Sequence, residues 1–220
     1  MASEPPSLEW LHQTVEHCTQ AHRRLEATIG RLDDHAVARP SLLAGWRVGH
    51  VLTHLARNAD SYVRMLEGAA AGETLEQYAG GPAQRAADIE AGAGRSAEVI
   101  VADVTGSIAR LEACWAATGP DTWCGEGRTN GSPWLCSTFP QSRWREVEVH
   151  HADLGLGYSP ADWPVAYVAQ ELPGALRQLP ERLDPATRGQ LLAWLMGRAD
   201  QPDMAPAAWQ SRPEYYHGSL

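Results

Sequence analysis

Two short patches of this chain carry side chains that hold metal ions. In Arg145-Glu146-Val147-Glu148-Val149-His150-His151-Ala152-Asp153, Glu146 and His150 stand four residues apart, so a helix would stack them on one face. Well upstream, Gly49-His50-Val51-Leu52-Thr53-His54-Leu55-Ala56-Arg57-Asn58-Ala59-Asp60 offers His54 as a third donor. Two imidazoles and one carboxylate hold a divalent ion with at least one position open, as catalytic rather than structural sites do. Asp153, on the next turn of the same face, is placed to orient a ligand from behind. An isolated Glu-x-x-x-His is also common by chance, and surface pairing is its ordinary role. His50 and His54 make a rival i, i+4 pair, and His151 points off the ligand face. His12, His17, His22, His35 and His217 lack matching partners and read as solvated or core-edge residues.

The elements that must position these patches are helical. Leu8, Leu11, Val15, Cys18, Leu25, Ile29 and Leu32 alternate by three and four, the period of a long amphipathic helix, with a break at His22. Ser7 suits its start, and Asp33-Asp34 with Pro40 suits its end. A turn through Ala44-Gly45-Trp46 leads to a second helix over 47–67, with His54 flanking its apolar stripe. A third helix is expected over 95–117 and a fourth, carrying the second patch, over 142–154. Four such helices form a bundle, whose core is where facing helices pool ligands.

Residues 72–95 read as a loop with a short helical piece. Residues 119–140, with Gly119-Pro120, Asn130-Gly131 and Pro133, read as turn chemistry draped over a pocket. Beyond Gly155 a linker-like stretch precedes helices over 165–179 and 184–198, then a tail with Pro202, Pro206 and Pro213 and no strand alternation. The expected division is a metal-binding bundle over 1–157 and a small C-terminal subdomain over 158–220.

A chain of 220 residues suffices for one large domain with a small appendage, and a net charge of −9 argues against nucleic acid or an anionic membrane as partner. No apolar run approaches the ~20 residues that span a bilayer. The N-terminus lacks the basic-then-apolar order of a signal peptide, so a cytoplasmic location is expected. Cys18, Cys114, Cys124 and Cys136 match no zinc-ribbon or redox spacing and read as reduced thiols, with Cys136 alone placed to line a pocket.

Several of these stretches recur together in one family. Gly45-Trp46-x-x-Gly49-His50-Val51-Leu52-Thr53-His54-Leu55-Ala56-Arg57-Asn58-Ala59-Asp60, Arg85-x-x-Asp88-Ile89-Glu90-Ala91-Gly92-Ala93-Gly94-Arg95, Trp144-Arg145-Glu146-Val147-Glu148-Val149-His150-His151-x-Asp153-Leu154-Gly155 and Asp162-Trp163-Pro164 follow in that order. Together they resemble the mycothiol-dependent maleylpyruvate isomerase family, one of the DinB-like metal-binding four-helix bundles. The resemblance implies a mainly α fold, a DinB-like bundle followed by a small α/β C-terminal subdomain. It implies a divalent metal, usually Zn2+, on His54, Glu146 and His150, and mycothiol, the small thiol of actinobacteria, as cofactor. It also implies a catalytic arginine near the C-terminus, which Arg198 in Trp194-Leu195-Met196-Gly197-Arg198 matches.

Two stretches depart from the family. Between Leu183 and Leu191 one helix runs almost straight into the next, so the C-terminal sheet is expected to be reduced or absent. The loop over 132–140 is unlike the usual apolar run before the last bundle helix. The implied chemistry is thiolate addition to a conjugated cis double bond, rotation, and expulsion of the thiol, with Arg85, Arg95 and Arg198 as candidates to bind the carboxylates of a small electrophilic substrate. A mycothiol S-transferase would use the same bundle, metal and thiol, and a non-catalytic metal- and thiol-binding module would keep the ligands alone. A monomer or a homodimer is expected.

Overall fold

The computed structural model describes residues 6–200 of the chain. Helix α1 (Leu8–Ile29) starts on Ser7, whose hydroxyl accepts from the Trp10 amide, and buries Leu11, Cys18, Leu25 and Ile29 along its three-four stripe. The Asp33 carboxylate does not close α1 but caps a separate helix, α2 (Asp34–Ala38), by accepting from the Ala36 amide at 2.8 Å. Helix α3 (Val48–Ala70) is buried on almost every side through its first three turns.

Helix α4 (Gly81–Ala93) is the helical piece expected within 72–95, and at 13 residues it is longer than that reading allowed. Ala83, Ala86, Ala87, Ala91 and Ala93 supply helix propensity, and Pro82 sits in the first turn, where its missing N–H costs nothing. Helix α5 (Ala97–Ala117) follows, capped by Ser96. The expected turn segment over 119–140 also holds regular structure: helix α6 (Pro120–Trp123), strands β1 (Glu126–Thr129) and β2 (Ser132–Leu135), and a 3-10 turn over Cys136–Thr138. The strands pair antiparallel, Glu126 opposite Leu135 and Thr129 opposite Ser132. Asn130 and Gly131 carry φ of 49° and 78° between them, the left-handed pair that a two-residue hairpin turn requires.

Helix α7 (Phe139–Asp153) completes the bundle. α3 packs on α4, α5 and α7, and α1 packs on α5 and α7, so α3 and α7 face each other across the core. Gly49 is what lets α3 come this close to its neighbours: a Cβ there would stand 2.5 Å from the Ala93 carbonyl oxygen.

The chain divides into two compact units between Asp162 and Trp163. The second holds α8 (Val165–Arg182) and α9 (Pro185–Leu195), the latter capped by the Asp184 carboxylate, and no strand among its described residues. The tail prolines and His217 lie outside the described residues. No described helix is long and apolar enough to cross a membrane.

His22 corrects its sequence reading. It is fully buried, with Nδ1 donating to Glu112 Oε1 at 2.9 Å and Nε2 accepting from Arg143 Nε at 3.1 Å. Burial pushes its pKa down to about 4, although the Glu112 hydrogen bond favours the charged ring. An unfolded histidine titrates near 6.5, so below that pH the unfolded chain takes up a proton that the folded core refuses. The stability from this site is complete above pH ~6.5 and is lost as pH falls toward ~4, by about 3 kcal/mol. Denaturant titrations at neutral and acid pH should show His22→Gln losing less stability on acidification than wild type. Equal losses would contradict the assignment.

Candidate metal centre

His54 projects from the second turn of α3 and is 2% exposed, while Glu146 and His150 come from successive turns of α7. His54 Nε2 lies 2.8 Å and His150 Nε2 3.5 Å from Glu146 Oε2. The two imidazoles stand nearly perpendicular, at 89°, with centroids 4.6 Å apart. One donor atom from each of the three residues lies within 4.8 Å of the others, a spacing that a single ion with bonds of about 2 Å can close. Asp153 Oδ2 meets His150 Nδ1 at 2.9 Å and thereby turns Nε2 toward Glu146. This carboxylate behind a histidine is the usual partner of a metal-bound imidazole, and the two-nitrogen, one-oxygen donor set fits a divalent ion.

Electrostatics prepares the set. Burial holds His54 neutral, its pKa well below the ordinary value despite the pull of Glu146. Burial also opposes the charge on His150, but hydrogen bonds to Asp153 and Glu146 outweigh it and raise that pKa. Glu146 is buried too, yet its contacts with His150 and His54 keep its pKa far below the usual carboxylate range. Glu146 is therefore ionised at any physiological pH. Asp153→Asn should leave one ion per chain but weaken its binding by about 10- to 100-fold, read by competition with a chromophoric chelator. Unchanged affinity would remove Asp153 from the site.

The other expected residues separate clearly. His50 is engaged elsewhere, with Nε2 3.1 Å from Glu90 and Nδ1 accepting from the Arg47 amide at 3.2 Å. His151 faces away from the ligands, as expected: its Nε2 meets Thr28 Oγ1 at 2.8 Å and its ring stacks on Tyr158. Arg85, from α4, donates to His54 Nδ1 at 2.9 Å. Arg95 is committed to Asp103 at 2.6 Å and to the Gly92 carbonyl at 2.9 Å. Arg198 is exposed in the turn after α9, in the second unit.

Several functional neighbours escaped the sequence reading. Trp46 sets its ring edge-on to His54, centroids 5.9 Å apart, and Tyr78 lies under the Arg85 guanidinium. Glu148, on the opposite side of α7 from the ligands, is buried. It accepts from Arg24 at 2.5 Å, from Trp144 Nε1 at 2.9 Å and from the Tyr158 hydroxyl. These bonds tie α7 to α1 and fix the rotation that presents Glu146 and His150 to α3. Its spacing from Glu146, two residues, was the available signal, because it puts the two carboxylates on different faces.

Cys136 is fully buried, so it does not line an open pocket, and burial pushes its thiol up to about 12. Burial raises Cys18 further still. Neither supplies a thiolate at neutral pH.

Residues 18–155 match the family model described as the mycothiol maleylpyruvate isomerase N-terminal domain. Among solved structures, the chain is similar to the mycothiol-dependent maleylpyruvate isomerase, with a TM-score of 0.68 and 26% sequence identity over 72% of this chain and 66% of that one. A mutant of that isomerase, in which a histidine is replaced by alanine, gives the same TM-score of 0.68 and 26% identity. The chain thus spans just under two thirds of the length of that enzyme. No curated protein sequence matches it significantly.

Proposed function

Because this chain belongs to the mycothiol maleylpyruvate isomerase family through its N-terminal domain, we propose that it is a metal- and mycothiol-dependent isomerase of a small conjugated electrophile such as maleylpyruvate. The observation that carries this reading is the convergence of His54, Glu146 and His150 between α3 and α7, with Asp153 behind His150. A divalent ion held by these three residues, taken here as zinc, would supply a Lewis-acidic position that favours thiolate over thiol.

The chain's own residues do the rest. Glu146 brings a full negative charge, His54 a neutral ring, and Asp153 fixes the orientation of His150. Trp46 covers the His54 side. Cys18 and Cys136 are held as buried thiols, and the reading takes the nucleophile from solution. The thiolate adds to one carbon of the cis double bond, the former double bond rotates as a single bond, and expulsion of the same thiolate restores it as trans. The proposed compartment is the cytoplasm, which keeps all four cysteines reduced.

One observation favours a second reading, a mycothiol S-transferase. The described part of the second unit is two helices without a strand, where the resemblance implies α/β structure that serves the isomerase. Zinc-loaded protein with maleylpyruvate and mycothiol distinguishes the two when product and free thiol are followed together. Isomerisation leaves the thiol concentration unchanged, and transfer consumes one thiol per product. Turnover without any thiol would overturn both, and no turnover with metal and thiol bound would leave a binding module.

A further inference from the structure

Arg85 and a metal ion make incompatible demands on His54. A guanidinium only donates hydrogen bonds, so the 2.9 Å contact from Arg85 Nη2 requires a lone pair on His54 Nδ1. A neutral imidazole has one N–H, which must then sit on Nε2 and point at Glu146 Oε2, 2.8 Å away. Ligation through Nε2, the nitrogen that converges with His150, needs the opposite tautomer. Its proton would lie on Nδ1, facing the Arg85 donor. Ligation through Nδ1 instead would put the cation where the guanidinium stands.

We propose that Arg85 is a displaceable arm, which caps His54 in the arrangement seen here, is released when His54 ligates the metal, and then binds a carboxylate of the substrate. The proposal rests on the metal-site reading above and assigns Arg85 within it. Among the described residues no carboxylate pairs with Arg85, whereas Arg95 and Arg57 are both anchored on Asp103. Its other described partner is Tyr78, whose ring centroid lies 5.7 Å from the guanidinium carbon. A hydrogen bond between the two side chains adds to that ring contact, and both are contacts to a neutral partner that a carboxylate, which pairs with the guanidinium's charge, outcompetes. Pro82, Ala83, Gln84, Ala86, Ala87 and Asp88 around it on α4 are exposed, which leaves room for the arm to turn. Once free, the planar fork offers two parallel N–H groups to a carboxylate.

Zinc affinity and anion binding test this separately from turnover. Removing the competing hydrogen bond should tighten zinc binding about 10-fold in both Arg85→Ala and Arg85→Met, read by chelator competition with helical content as the folding control. Succinate, a simple dicarboxylate, should bind the zinc-loaded wild type at least about 10-fold more tightly than zinc-loaded Arg85→Met at equal metal content. Nitrogen-15 spectra should place the His54 proton on Nε2 without zinc and on Nδ1 with it. Equal or weaker zinc affinity in both variants, or equal succinate affinity, would overturn the proposal. Failure of wild type to bind zinc would instead overturn the metal-site reading itself.

Discussion

His150→Ala should abolish thiol-dependent turnover while leaving the bundle folded, and His54→Ala and Glu146→Gln should do the same. Each removes one of three donors that meet around a single point between α3 and α7. With two donors left, the ion is held too weakly to stay in place, and with it goes the charge that favours thiolate at neutral pH. The expected fall in kcat/KM is about 1000-fold or more, the scale of losing the principal electrostatic element of a site. Helical content, read by circular dichroism, should be largely retained. His50→Ala serves as the control one turn away, because His50 is bonded to Glu90 rather than to the ligands. Near-wild-type kinetics in His150→Ala, or a collapse in His50→Ala alone, would move the site.

Arg143→Ala should have the largest effect on stability, a loss of about 3–5 kcal/mol. Arg143 is fully buried on α7 and satisfies acceptors on two other helices: His22 Nε2 on α1, and the Leu55 carbonyl and Asn58 Oδ1 on α3, the last two at 2.8 Å. Truncation removes all three bonds from the core, leaving His22 Nε2 with only the 3.8 Å contact to Cys18 Sγ, and opens a cavity as well. Arg143→Met fills most of the space but restores none of the bonds, so it should recover only part of the loss. Urea denaturation measures both, and wild-type stability in Arg143→Ala would show that the network contributes little.

The proposed ligand set was legible because it depends on local spacing. Glu146, His150 and Asp153 lie on one helix face in any α-helix, and the motif around His54 supplied the partner strand of the argument. The long helices were legible for the same reason, since each buries a three-four stripe. The His22–Arg143 network was not, because its members come from α1, α3 and α7 and nothing in the local pattern around His22 marks it as central. Arg85 was a candidate from sequence, but its place beside His54 was not legible: it stands 31 residues away, on a helix whose Gly80-Gly81-Pro82 opening and Gly92 and Gly94 made it read as only a short helical piece in a loop. The hairpin hid behind its own turn: Asn130-Gly131 was read as loop punctuation, and strands of four residues each are too short to show alternation.

X-ray absorption at the zinc edge of the loaded protein tests the central claim most directly. The account predicts two imidazole nitrogens and a carboxylate oxygen at about 2.0–2.2 Å, a further light-atom ligand in the open position, and loss of one imidazole signature in His150→Ala. A single imidazole, or sulfur at about 2.3 Å from a cysteine of the chain, would contradict it.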